Sequence, residues 1–172
     1  EGYPIILDKK GKSSKPIDNV FCTFASPWNV MITKTINAQD DKGIEVTESY
    51  IEKFLKQEEQ AFYKEISQEK GDDEEGQLSK PVLIEREVIN TTLNGYRVTN
   101  PFGKTARSFR ADIILSAMPK GVFDEINKIT KQLVGNDRSY FHTYTAASFT
   151  VIRDLRPSIQ NFLIVDITGE IT

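Results

Sequence analysis

Cysteine and histidine are nearly missing from this sequence of 172 residues: Cys22 and His142 stand alone. One cysteine excludes an internal disulfide framework and fits a reducing compartment. One histidine and one cysteine leave too few soft ligands for a transition-metal centre. A Ser-His-Asp arrangement would have to use His142, whose setting "SYFHTYT" reads as aromatic packing or surface. Cys22, within "VFCTFA", reads as a small buried hydrophobe. No apolar run approaches the roughly 20 residues that cross a bilayer. The opening stretch "EGYPIILDKKGKSSKP" has neither a starting Met nor a signal-type apolar core, so the chain reads as an excised segment. A strong charge of one sign is also lacking: the net charge is −3, which gives no general attraction to nucleic acid.

What is present is enough apolar content, 38%, for one core or two small ones. The charge is uneven. Residues 45–76 hold eleven acids and four lysines, a local −7 that leaves +4 elsewhere. Its end, "EKGDDEEGQLSKP" (69–81), has no periodicity and reads as a solvated loop, with an acidic docking surface as the functional alternative. Its paired carboxylates have no pocket to shift their protonation.

Periodicity divides the chain into strands and helices. Residues 17–25 alternate with Val20, Cys22 and Phe24 on one face, and Pro27 ends that strand. Residues 28–36 resume a period of two, and "NAQDDKG" (37–43) reads as a loop. "VTESYIEKFLKQEEQAFYKEIS" puts Tyr50, Ile51, Phe54, Leu55, Phe62 and Ile66 on one helical face. Thr47 is placed to cap it, with Val46 and Ile51 as a hydrophobic staple. Residues 82–98 read as two strands joined by an Asn94-Gly95 hairpin turn. A loop at 99–108 and an apolar strand at 109–118 follow. The helix at 119–135 turns Val122, Ile126, Ile129 and Leu133 inward, with acids early and lysines late, and Gly135 closes it. A third helix spans 143–155, packing through Ala146 and Ala147, and the last strand is 162–167. The fold class is α+β, grading to α/β at the ends.

Two stretches invite a phosphate reading. "GKT" at 103–105 is not a P-loop, because Val98 stands where the first glycine must open the amide nest. "NFLIVDITGEIT" (161–172) is different: a strand ends in Asp166 and runs into Gly169. There an aspartate can hold hydrated Mg²⁺, and glycine lets amides approach phosphate oxygens. By itself the motif is equally a strand end with a turn.

The order of elements adds more. "LNGYRVTNPFGK" (93–104), followed by an apolar strand, two helices and the loop "DITGEIT", resembles the bacterial actin-like cell-division and pilus-assembly family of the FtsA/PilM type. The resemblance covers about residues 17–172. It implies an actin-like ATPase-fold fragment with an inserted small sheet-and-helix subdomain. Residues 1–36 would end subdomain 1A, 37–137 would form the inserted interaction subdomain 1C, 138–160 would return to 1A, and 161–172 would begin subdomain 2A. The family implies protein–protein assembly, including self-assembly into filaments, at the inner face of the cell membrane, reached through regions outside this chain. It implies no nucleic-acid partner. ATP and Mg²⁺ would bind in the complete protein, a weak ATPase at most, while the fragment alone would catalyse nothing. Asp166 would hold Mg²⁺ through water, and Thr168, Gly169 and Thr172 would face phosphate. The family's loop is Asp-Ile-Gly-Gly-Gly-Thr, and here Thr168 and Glu170 replace glycines. These departures keep open a scaffold of the same fold that binds partners without nucleotide. An unrelated α+β binding domain, in which 161–172 is an ordinary core strand, is the third reading.

Overall fold

The computed structural model describes residues 18–68, 81–134, 138–156, 158–159 and 162–165. Its elements are β1 (Val20–Phe24), β2 (Val30–Val46), α1 (Glu48–Gln68), β3 (Pro81–Leu93), β4 (Tyr96–Arg97), β5 (Lys104–Pro119), α2 (Lys120–Val134), β6 (Ser139–Thr143) and α3 (Tyr144–Leu155). The mixture is α+β. Among the described residues two sheets are formed: an antiparallel one in the order β2-β5-β3-β4, and a pair in which β1 and β6 run parallel.

Helix α1 covers one face of the larger sheet. The Thr47 hydroxyl accepts from the Tyr50 amide at 3.1 Å, satisfying a first-turn donor. Val46 and Ile51, either side of that cap, are both buried. Leu55, Phe62 and Ile66 continue the stripe downwards into a cluster with Ile36, Phe109, Ile113 and Leu115. Tyr50 and Phe54 pack on the Phe109 ring at centroid distances of 5.5 and 6.3 Å. The same face carries two basic residues from flanking strands. Lys34 lies 3.6 and 3.4 Å from Glu58 and Glu65, and Arg86 lies 2.9 and 3.3 Å from Glu52 and Glu59. Four of the helix's acids are therefore turned to its own sheet. The Arg86 hydrogen bond holds the Glu52 carboxyl below its ordinary value.

Strand β2 corrects the expected loop at 37–43. It continues in register with β5 through Gln39↔Ser108, slips over residues 40–43, and resumes at Ile44↔Ala106. The polar residues that suggested a loop lie partly on the uncovered sheet face and partly in the slip. Gly43, at φ +95°, allows the slip: a Cβ there would come within 2.9 Å of Thr105 Cγ2. Strand β5 likewise begins at Lys104, shortening the expected 99–108 loop. "GKT" is the entry to that strand, with the Gly103 amide donating to the Val46 carbonyl at 2.9 Å. Asn94 (φ +50°) and Gly95 (φ +83°) form the hairpin turn joining β3 to β4.

Helix α2 is rotated from the expected face. Thr130 and Val134 are buried, whereas Ile129 is 50% exposed. The Phe123 ring supplies the inward contact, 4.9 Å from Phe141 of β6, and so sets the rotation. Helix α3 starts at a capping Thr143, whose hydroxyl accepts from the Ala146 amide at 3.1 Å. Of the expected last strand, residues 162–165 join no sheet. Phe162 turns back to stack on Phe149, while Leu163 and Val165 stay exposed. With no neighbouring strand to bond, the alternation alone does not make a ladder.

Candidate functional site

The expected phosphate residues Asp166, Thr168, Gly169 and Thr172 lie outside the described residues. Three features stand out: a buried carboxylate between the two sheets, a groove beside it, and an open polar face.

Glu85 is placed by a bulge. Strand β3 pairs Leu83 with Ala117 and then Glu85 with Ser116, so Ile84 is an extra residue. A second slip between Val88 and Asn90 adds Ile89. The insertions keep Leu83, Val88, Thr91 and Leu93 toward α1 while Glu85, Asn90 and Thr92 face the other way. That opposite face is covered at one end by β6 and α2, and there Glu85 is 4% exposed. Its carboxylate receives the Ser116 hydroxyl at 2.7 Å, the Thr143 hydroxyl at 2.8 Å and the Thr143 amide at 3.0 Å. His142 Nδ1 approaches to 3.4 Å. A buried carboxylate without such donors would be prohibitively costly to desolvate. Sequence reasoning missed Glu85, because "LIEREVI" reads as one strand and shows no bulge. It read His142 as aromatic packing or surface, with no carboxylate assigned beside it.

Beside this junction, β3, β4 and the end of α3 enclose a groove of about 720 Å³, lined by Val88, Ile89, Arg97, Val98, Arg153 and Ile159 among others. On the uncovered half of the larger sheet, Asn37, Gln39, Thr92, Ser108 and Arg110 line a shallow depression of about 500 Å³. Asp112 anchors that half. Burial pushes its carboxyl up, but hydrogen bonds from Asn90 and Thr35 and the charge of Arg110 outweigh this and leave it below its ordinary value. The Thr35 hydroxyl donates at 2.7 Å and the Asn90 amide at 3.0 Å.

The two-stranded unit has another character. Phe21 and Tyr140 stack at 4.8 Å on neighbouring strands and are 69% and 42% exposed. Val151 and Leu155 of α3 are exposed as well. Cys22, next to Phe21 on β1 and in register with Phe141 of β6, is half-buried and free, and burial pushes its thiol up, away from the reactive thiolate. Among the described residues no three His, Cys, Asp or Glu side chains gather as a metal site. No helix among them is long and apolar enough to cross a membrane.

No protein-family model matches the chain, and no curated protein matches it.

Proposed function

We propose that the chain is a segment of an actin-fold protein of the FtsA/PilM type that works in protein–protein assembly at the cytoplasmic face of the cell membrane, in cell division or pilus assembly. The observation that supports this is the path of the chain. It leaves β1, builds a separate α+β unit from β2 to α2 with its own core, and returns as β6, in parallel register beside β1. A parallel pair needs a crossover, and here the crossover is a whole folded unit, as an inserted interaction subdomain requires. The exposed Phe21 and Tyr140 fit the same reading, since parallel sheets are ordinarily covered on both faces. In the complete protein further strands and helices would provide that cover.

On this reading ATP binds between the halves of the complete protein. Asp166 holds Mg²⁺ through water, and the amides near Gly169 with the hydroxyls of Thr168 and Thr172 face phosphate. Thr168 and Glu170 stand where the family has glycines, the first adding bulk at the phosphate approach and the second a like charge. Bound Mg-ATP serves as a structural or switching ligand. A second reading is a scaffold of the same fold that binds partners without nucleotide, favoured by Thr168 and Glu170 where the family has glycines. Calorimetry of Mg-ATP binding to the complete protein, beside Asp166→Ala, tests both. Micromolar binding that the variant loses supports the nucleotide-binding reading. A well-folded protein that binds no Mg-ATP leaves the scaffold.

A further inference from the structure

The contact between the unit of β1, β6 and α3 and the unit running from β2 to α2 has two unlike parts. The apolar part is Phe123 on Phe141, with the Met31 sulfur 3.5 Å from the Thr143 hydroxyl at its margin. Apolar contacts of this kind are non-directional and tolerate sliding. The polar part is directional and centred on one side chain. Glu85 takes two hydrogen bonds from Thr143, through its amide and its hydroxyl, and one from Ser116. Both hydroxyl-bearing residues are at most 1% exposed, so water cannot substitute for the carboxylate. Thr143 is also the residue that ends β6 and caps α3. The direction in which α3 leaves is thus tied, through one residue, to a carboxylate on β3.

We propose that Glu85 is a latch that fixes the angle between the two units, and that β1, β6 and α3 swing away from the larger sheet as one body when it is removed. The bulge at Ile84 is the device that aims it; an unbroken strand would present Ile84 to Ser116 instead. Buried ionic groups are best attested in this role, setting register and orientation rather than adding net stability. The groove between β3, β4 and α3 has walls from both units, so the latch also sets its width. The latch lies wholly in the contact between the units and acts whether or not the protein binds nucleotide.

Spin labels across the groove test it. Tyr96 and Leu155, both more than two-thirds exposed, are changed to cysteine in a Cys22→Ser background and their distance distribution is measured by pulsed electron resonance. A single narrow distance is expected with Glu85 in place. Glu85→Leu orphans the Thr143 amide and both hydroxyls, and a second population at longer distance is expected. Glu85→Gln keeps the shape but turns a donor toward two hydroxyls, and a smaller population at the same longer distance is expected. Circular dichroism establishes which variants are folded; should the leucine variant fail to fold, the isosteric glutamine variant carries the test. An unchanged distribution in the folded variants overturns the latch. So does a distribution that broadens without a distinct second distance, because that describes loosening and not rotation of a body.

Discussion

Replacing Phe62 by alanine is the sharpest probe of how the larger sheet is held. The ring is fully buried at the centre of α1's inner stripe, where it faces the cluster of sheet residues around Ile113 and Leu115. Removing a buried phenyl ring loses its transfer energy and leaves a cavity, and together these cost about 3–5 kcal/mol. Against a total stability of about 5–15 kcal/mol that is a large fraction. With a urea dependence of about 2 kcal/mol per molar, the unfolding midpoint should fall by about 2 M. The companion variant is Ile129→Ala, on the face of α2 that sequence periodicity assigned to the core and that is 50% exposed. Its cost should stay within about 0.5 kcal/mol, helped by alanine's better helix propensity. Both are measured by urea titration followed by circular dichroism, with the slope checked for constancy. If Phe62→Ala moves the midpoint by less than about 0.5 M, the docking of α1 on the sheet is wrong. If Ile129→Ala proves the costlier of the two, the rotation of α2 is wrong as well.

Two further outcomes follow from particular geometries. Asp112 is held below its ordinary pKa, so its folded form favours the charged state. Its contribution is complete above the unfolded value of about 3.9 and disappears as pH falls through the lower folded value. The stability advantage of the parent over Asp112→Asn should therefore be constant near neutrality and shrink in acid; urea midpoints that differ equally from pH 7 to about pH 3 would contradict it. At Gly43, alanine must adopt φ +95° and meet Thr105 Cγ2 at 2.9 Å, so Gly43→Ala should cost at least about 1–2 kcal/mol. Adding Thr105→Ser should return the steric part and leave the backbone part, and a neutral Gly43→Ala would show that the slip in β2 is not built as described.

Much of the local structure was legible in the sequence because local forces set it. The stripe of Ile51, Leu55, Phe62 and Ile66 could only be a helix face, and Thr47 stood where an orphan amide needed an acceptor. Asn94-Gly95 supplied two positive φ angles, and a two-residue hairpin needs both. Helices of this kind are decided by periodicity and caps, which a single sequence displays in full. Residues 37–43 were illegible for the opposite reason. Asn37 and Gln39 look like loop residues, and they belong to a strand because β5 pairs with them and leaves that face uncovered.

The candidate site divides along the same line. Asp166 and Gly169 were singled out by residue type and spacing alone, and both lie outside the described residues. Glu85 could not be singled out in that way. Its role depends on a bulge in β3, on Ser116 one strand away and on Thr143 some 58 residues later, and a sequence shows none of these neighbours. In "LIEREVI" it is one charge among several. Composition and periodicity determined an α+β chain, its two longest helices and its hairpin. Tertiary structure alone decided which end of the sheet is covered, which way α2 faces and which glutamate is buried, because each depends on what a distant segment places against it.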